Sequence, residues 1–91
     1  MEKTRQKAVA VRYEPQYTAP RVVGKGQGFV AHRIIERGRE HKVPIYKDEA
    51  LTNELLGVSL GEQIPPELYE IVARILVFIA DLDKRQGYLS R

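Results

Sequence analysis

The segment from Pro66 to Lys84 constrains the fold most, because it carries the densest apolar periodicity in the sequence. Proline is tolerated in the first turn of a helix, so the Pro65-Pro66 pair predicts a helix that begins there. At about 100° per residue, one stripe of this helix is apolar and is predicted to face a sheet. The stripe consists of Leu68, Ile71, Val72, Ile75, Ile79 and Leu82.

A second apolar flank widens this stripe and leaves only a narrow polar face on the helix. The flank consists of Tyr69, Ala73, Leu76, Val77 and Ala80. Either both apolar sides of such a helix pack within the domain, or one side packs within the domain and the other is exposed to solvent. An exposed apolar flank beside a sheet indicates a partner site, whereas a short helix at 49–56 would cover a flank that belongs to the core. The sequence leaves both interpretations open.

The composition limits the chain to one small domain of ordinary globular type. Ninety-one residues are too few for two independent cores, and 43% hydrophobic with 30% charged residues argues against disorder. The absence of cysteine excludes disulfides, thiolate metal sites and a cysteine nucleophile. The longest apolar run, Ile75–Ala80, is far shorter than the roughly 20 residues of a membrane span. No signal peptide is visible after Met1, so we expect an intracellular, cytoplasmic protein.

Apolar periodicity and turn residues predict an α/β domain in which a small mixed sheet of about three strands packs with three to four helices. Strands are predicted at 8–13, 21–23 and 43–46, and helices at 27–40, 49–56 and 66–84. The short connection between the first two strands favours an antiparallel pair, and the strand–helix–strand order over 21–46 predicts a parallel crossover. The domain is expected to span 8–86, with a polar N-terminal arm at 1–7 and a C-terminal tail at 87–91.

Two groups of residues resemble ligand sites only in part. The glycines at 24, 26 and 28 lie between a strand and a helix, where backbone N–H groups bind phosphate. The run lacks the full dinucleotide or P-loop pattern and fits a close-packed turn better. His32 and His41 are not spaced as metal ligands, so a structural or solvated role is the stronger interpretation.

The acidic residues near the helix at 49–56 also have a structural explanation. Asp48 is predicted to cap this helix, which leaves a cation site at Asp48, Glu49 and Glu54 as the weaker interpretation. No nucleophile, base or metal constellation is present in the sequence. We therefore expect that the protein is not an enzyme and uses neither a cofactor nor a metal.

Several segments together resemble the cytoplasmic domain of the FlhB/YscU family of type III export-gate proteins. These segments follow one another in the same order as in the family and cover residues 8–84. They are AVAVRY, Ala19-Pro20, VVGKGQG, HRIIERGREHKVPIYKDEALTNELL and GEQIPPELYEIVARIL. The resemblance implies the α/β fold of that domain. It also implies a part in recognising export substrates and in switching the type of substrate that is exported.

The family's self-cleavage motif is missing from this sequence. Family members cut themselves at Asn-Pro-Thr-His, where the asparagine side chain cyclises onto its own carbonyl. The corresponding positions here are Lys3, Thr4, Arg5 and Gln6, and the only asparagine is Asn53. Lysine offers no such ring closure, so we expect no self-cleavage. Without the family's N-terminal membrane portion, the chain is expected to be a free-standing equivalent of the cleaved fragment.

The resemblance also predicts an open sheet edge. The family strand that precedes the cut has no counterpart in this sequence, so its neighbour in the sheet is expected to have an open edge unless residues 1–7 fold back over it. Such an edge would let the chain complement an upstream FlhB fragment by strand addition. Strand complementation is therefore one alternative function.

The main functional hypothesis is an apolar pocket that receives a short hydrophobic segment of early export substrates. The resemblance places this pocket at Ala19, Pro20, Ala73 and Leu76, which keep the family's residue types. Ala73 and Leu76 also lie on the second apolar flank of the last helix. We therefore predict a protein that binds export substrates or components of the flagellar export apparatus. Its expected place is the cytoplasm, at the cytoplasmic face of the inner-membrane export gate.

A basic nucleic-acid or phosphate-binding module is the other alternative. The net charge of +3 is only mildly basic, so nucleic acid is permitted as a partner but is not expected. Phosphate-dominated binding would fall steeply with added salt, whereas binding by an apolar pocket would change little. The candidate cations are Lys3, Arg5, Lys7, Arg12, Arg21 and Lys25.

Overall fold

The computed structural model describes residues 5–83 and 87–91, and it shows within them a four-stranded mixed sheet with three α-helices. The strands are β1 (Lys7–Arg12), β2 (Arg21–Gln27), β3 (Ile45–Tyr46) and β4 (Gly87–Ser90). The helices are α1 (Phe29–Glu40), α2 (Glu49–Leu56) and α3 (Tyr69–Asp83), and a 3-10 turn at Pro66–Leu68 leads into α3. The predicted fold class is confirmed, with one strand more than the three expected.

The sheet has the strand order β2-β1-β4-β3. β1 pairs antiparallel with both of its neighbours, whereas β3 and β4 run parallel. β2 and β3 therefore point in the same direction at opposite edges, and α1 connects them across the two central strands. The antiparallel first pair and the parallel relation of β2 and β3 agree with the sequence prediction. The β1–β2 register shifts between Ala10 and Val11, where a bulge increases the local twist.

Helices cover both faces of the sheet, which explains why β1 is apolar at consecutive positions. On one face, Ala8 packs with Ala31 and Ile35 of α1. On the other face, β1, β2 and β4 pack against α2, α3 and the segment that precedes α3. This larger core consists of Val9, Val11, Val22, Leu51, Leu55, Ile64, Leu68, Val72, Ile75, Ile79 and Tyr88.

Local features of the sequence explain where α1 and α2 begin. The backbone N–H of Leu51 donates to the carboxylate of Asp48 at 3.1 Å, so Asp48 caps α2 as predicted. Gly26 of β2 lies against the first turn of α1, where an added Cβ would come within 2.9 Å of the Val30 Cβ. Gly28, which precedes α1, has a φ of 62° that glycine adopts without strain. The glycine run therefore allows close packing between strand and helix.

α3 places one face against the sheet and the opposite face in solvent. The predicted buried stripe is confirmed at Leu68, Val72, Ile75 and Ile79. The prediction for Ile71 is wrong, because this side chain is 39% exposed. Ile71 lies at one edge of the stripe on the helical projection and Val72 at the other, and the core covers only the edge at Val72. The side chains of Ala80 and Leu82 lie outside the part of the chain that the structure describes.

Residues 87–90, which the sequence assigned to a tail, form β4 in the interior of the sheet. Tyr88, Leu89 and Ser90 are each at most 3% exposed. β1 has no open edge, because β2 pairs with one side of it and β4 pairs with the other side over Val9–Arg12. The place next to β1 is thus filled by a strand from the C-terminal end of the same sequence.

Candidate functional site

The solvent-facing part of α3 carries a row of unburied apolar side chains. Tyr69 is 40% exposed and Val77 is 62% exposed, while Ala73 is exposed and Leu76 is half-buried against the core. We call these four residues the outer flank. The exposure of Tyr69, Ala73 and Val77 shows that most of this flank lies outside the core, so one side of α3 packs within the domain and the other side faces solvent.

A shallow cleft of about 510 Å³ lies on the outer flank. The ion pair between Glu70 and Arg74, one helical turn apart at 3.4 Å, forms its polar border. Small and apolar side chains provide the rest of the lining, which is Ala73, Val77 and Phe78. An apolar strip with a charged border suits a short apolar segment of another protein chain.

A larger groove of about 780 Å³ lies between α3 and β3 and adjoins the cleft at Arg74 and Phe78. We call it the β3 groove. Tyr46 on the strand and Ile71 and Phe78 on the helix are partly exposed within it. Its lining residues are Pro44, Ile45, Tyr46, Ile71, Arg74, Ile75, Phe78 and Ile79.

Sequence reasoning missed Phe78, although the sequence contains a signal for it. Phe78 lies seven residues after Ile71, which places both side chains on the same side of the helix two turns apart. This spacing would have identified a second exposed strip once Ile71 was known to lie outside the core. Pro44, Ile45 and Tyr46 give no such signal, because their proximity to α3 depends on the position of β3 in the sheet.

The four predicted pocket residues lie in different surroundings. Ala19 is 2% exposed, and Pro20 is half-buried with its carbonyl accepting a hydrogen bond from the Ile64 N–H at 2.9 Å. Ala73 lines the cleft on the outer flank, and the other three residues do not line that cleft. Leu76 packs against the larger core. A single pocket formed by all four residues therefore stays a prediction.

Two of the positions that replace the self-cleavage motif are described. Arg5 is exposed, and Gln6 is half-buried directly before β1. The Gln6 carbonyl accepts a hydrogen bond from the Gly28 N–H at 2.8 Å, which ties the start of β1 to the start of α1. Lys3 and Thr4 lie outside the described residues, and the absence of self-cleavage stays a prediction.

Four of the six cations suggested for phosphate binding have intramolecular partners. The Lys25 ammonium donates to the carbonyls of Leu56 and Val58 at 3.0 and 2.7 Å. The other contacts are Lys7 to Asn53 at 2.8 Å, Arg12 to Glu14 at 3.4 Å and Arg21 over the Tyr17 ring at 4.8 Å. These contacts use the cations within the fold, which weakens the alternative of a phosphate-binding module.

Both histidines make contacts within α1 or at its end. His32 Nε2 lies 3.2 Å from a carboxylate oxygen of Glu36, and His41 Nδ1 lies 2.9 Å from the carbonyl oxygen of Arg37. Within residues 5–83 and 87–91, no group of three or more histidine or acidic side chains is arranged to hold a metal ion. None of the helices in this described part is long and apolar enough to cross a membrane.

Comparison with known proteins links this fold to export proteins of several bacteria. The sequence is 43% identical over 79 residues to the uncharacterized protein YlqH of Bacillus subtilis (strain 168), covering 86% of this chain and 85% of that protein. It is 42% identical over 86 residues to the flagellar biosynthetic protein FlhB of Yersinia enterocolitica, covering 90% of this chain. The chain spans about a fifth of the length of its FlhB relatives.

The structure is also similar to a solved domain. It superimposes on a mutated EscU C-terminal domain with a TM-score of 0.79 at 27% sequence identity, covering 88% of this chain and 98% of that domain. The family described as FlhB HrpN YscU SpaS matches residues 5–79, which include β1 to β3, α1, α2 and most of α3. The chain belongs to the FlhB HrpN YscU SpaS family.

Proposed function

We propose that this protein acts in type III protein export by binding a short apolar segment of an export substrate, and that it does so without catalysis. The observation that carries the proposal is the uncovered outer flank of α3 in a member of this family. Relatives are named for flagellar biosynthesis and for secretion, which supports protein export as the process. The proposed place of action is the cytoplasmic face of the export gate.

The outer flank has the chemistry that such a segment requires. A contiguous exposed apolar patch on a small domain is typical of a protein–protein contact site. Ala73 has a short side chain between Tyr69 and Val77, which are each one turn away, so a partner side chain can approach the helix backbone there. Each buried CH₂ group contributes about 0.8 kcal/mol, so a few side chains suffice for reversible binding.

Strand complementation is less well supported than binding at α3. Both sides of β1 are already paired, one with β2 and the other with β4. A strand from another chain would first have to displace β4, whose side chains are buried. The outer flank requires no such rearrangement before it binds a partner.

The test is the affinity for a purified early flagellar export substrate, measured by calorimetry with unmodified and substituted chains. Ala73→Asp introduces a charge that the bound segment would desolvate, and we expect affinity to fall about tenfold or more. Ala73 is exposed, so circular dichroism should show an unchanged fold. Leu60→Asp is the matched control, because Leu60 is as exposed as Val77 but does not line the cleft on the outer flank.

A substitution in the β3 groove and a change of salt concentration test whether the substrate binds at the outer flank. Ile71→Asp changes the β3 groove and leaves the outer flank unaltered, so it should bind the substrate as the unmodified chain does. Raising the salt concentration from about 0.05 to 0.5 M should change the affinity little, because the proposed contacts are apolar. Equal affinity of a folded Ala73→Asp chain and the unmodified chain would contradict the proposal.

A further inference from the structure

α1 covers only part of the sheet face on which it packs. It contacts Ala8 at the start of β1, whereas Ala10, two residues further along, is half-buried, and Val23 of β2 is 47% exposed. Two adjoining cavities of about 600 and 510 Å³ lie over the uncovered part. They share four lining residues and therefore form one depression, which we call the α1 groove. The shared residues are Ala10, Gly38, Val43 and Leu89.

The floor of the α1 groove consists of small and apolar residues. Ala10 of β1 pairs with Gly24 of β2, so no side chain longer than a methyl group rises from either position. A Cβ added to Gly24 would meet only the Ala10 Cβ, at an ordinary 3.5 Å, which shows that the space above Gly24 is open. Val23 and Val30, which is 55% exposed, form apolar borders. A partner side chain can therefore approach the sheet backbone and bury apolar surface there.

The helix wall of the groove carries two arginines and a histidine. Arg33, Arg37 and His41 follow one another at intervals of four residues, which places them on the same side of α1. Arg33 and Arg37 are exposed, and neither guanidinium is ion-paired with a carboxylate of the described residues. Among the described residues that line the two cavities there is no aspartate or glutamate. The α1 groove thus combines an apolar floor with an uncompensated cationic rim.

This combination suits an acidic segment of another polypeptide chain. A guanidinium binds a carboxylate through two parallel hydrogen bonds, which fixes the geometry as well as the charge. Arg33 and Arg37 are separated by about 6 Å along the helix axis. Alternate side chains of an extended segment are separated by roughly 6.6–6.8 Å and point to one face, while the intervening side chains point to the other. Such a segment can direct two carboxylates to the arginines and apolar side chains to the floor.

The groove suits nucleic acid and lipid less well. A sugar–phosphate backbone has no apolar side chains to fill a floor of small residues. Tyr88, the aromatic residue among the described lining, is 1% exposed and offers no surface on which a base could stack. The surface of a bilayer is broad, so it does not enter a recess between a helix and a sheet. The apolar floor therefore favours a protein ligand.

We propose that the α1 groove is a second protein-binding site, which takes an extended acidic segment of a partner chain. Alternate carboxylates of the segment bind Arg33 and Arg37, and the apolar side chains between them lie over Ala10 and Gly24. The site is separate from the outer flank, because α1 and α3 pack on opposite faces of the sheet. The domain can therefore hold an apolar segment on one face and an acidic segment on the other.

The test uses the full chain and a fluorescent peptide in which three glutamates alternate with two leucines between glycine–serine ends. Binding is measured by anisotropy, and Arg37→Glu should weaken it about tenfold or more. Arg37 is exposed, so circular dichroism should show an unchanged fold. Arg39→Glu is the matched control, because Arg39 is an exposed arginine of the same helix that does not line the groove. The control makes the same change in net charge and should alter the affinity by less than about twofold.

Filling the floor tests the apolar half of the site. Gly24→Val places a branched side chain in open space on a strand that valine suits, and it should reduce peptide affinity about tenfold. A peptide with serine in place of leucine should lose affinity by a similar factor, and one with lysine in place of glutamate should not bind. Ala73→Asp should leave peptide binding unchanged, so failure of the export-substrate test and failure of this one are distinguishable.

Two further probes distinguish a protein ligand from other polyanions. A single-stranded oligonucleotide and vesicles of phosphatidylglycerol should each bind more weakly than the acidic peptide at about 0.15 M salt, where phosphate-dominated binding is already reduced. Tighter binding of either probe than of the peptide would overturn the proposal. So would equal peptide affinities of the unmodified and Arg37→Glu chains, or equal losses for Arg37→Glu and Arg39→Glu, since equal losses would mean that only the net charge matters.

Discussion

Tyr88 places a phenol in the larger core, with 1% of its surface exposed. Its hydroxyl has no hydrogen-bond partner among the described residues, and the Ser90 hydroxyl is hydrogen-bonded to that of Thr52. A buried hydroxyl without a partner costs about 1–3 kcal/mol. Burial also raises the pKa of Tyr88 above the ordinary tyrosine value, since the phenolate would lose its hydration.

Tyr88→Phe is therefore expected to raise the free energy of unfolding at pH 7 by about 1 kcal/mol, measured by urea denaturation. A tyrosine with a raised pKa keeps its proton in the folded state, while the unfolded chain releases it above about pH 10. The unmodified chain should then lose stability as pH rises beyond that value, at up to about 1.4 kcal/mol per pH unit from this group. The Phe variant should lose less over the same range.

Tyr13→Phe serves as the control for this comparison, because Tyr13 is 38% exposed. It should leave the stability at pH 7 close to that of the unmodified chain. If the Tyr88→Phe chain were less stable than the unmodified chain at pH 7, the Tyr88 hydroxyl would form a hydrogen bond in solution.

Some single-residue roles follow from the sequence and others do not. The capping role of Asp48 and the packing role of the glycine run depend on neighbours within a few positions, and both were predictable. The burial of Tyr88 depends on pairing with Val11 at the other end of the sequence, so no local pattern indicates it. The grouping of Ala19 and Pro20 with Ala73 likewise has no basis in local sequence and derives from the family resemblance alone.

At the scale of single elements, α3 shows how far helical periodicity determines packing. Periodicity gives the direction of the buried face but not its width, which the neighbouring strands decide. Ile75 and Ile71 were both predicted to be buried, yet Ile75 is 6% exposed and Ile71 is 39% exposed. The same residue type thus occurs one turn apart in two environments.

This pair allows a matched test of the placement of α3. Ile75→Ala should lower the free energy of unfolding by about 2–5 kcal/mol, because it removes buried methylene groups and leaves a cavity. Ile71→Ala should lower it by less than about 1 kcal/mol, since that side chain is already partly hydrated. Chemical denaturation followed by circular dichroism measures both. Similar losses for the two variants would mean that α3 faces the sheet with a different side.

β4, in contrast to α3, is an element that the sequence pattern does not indicate. Gly87–Ser90 has only four residues, and it is covered on both faces, so it lacks the alternation of polar and apolar residues that marks a half-buried strand. Its neighbours in the sheet, β1 and β3, lie far away in the sequence. The hairpin between β1 and β2 was predictable because a short connection restricts their pairing, and β4 has no such restriction.

At the scale of the whole molecule, one sheet joins two cores. β1 contributes Ala8 to the core beneath α1 and Val9 and Val11 to the larger core beneath α2 and α3. β4 does the same with Leu89, which contacts α1, and Tyr88, which lies in the larger core. Neither core can be lost without disturbing strands that hold the other.

The shared sheet predicts a single cooperative unfolding transition. Ile35 belongs to the smaller core and is 2% exposed, so Ile35→Ala should lower the free energy of unfolding by about 2–5 kcal/mol. The midpoint of denaturation should fall equally for helix content, followed by circular dichroism, and for the Tyr88 ring signals, followed by NMR, because two-state unfolding gives coincident transitions. Val30→Ala is the control on the same helix, since Val30 is 55% exposed and its loss should shift the midpoint little. If the helix signal of the Ile35→Ala chain fell at lower denaturant than the Tyr88 signal, α1 would unfold on its own, and the sheet would not couple the two cores.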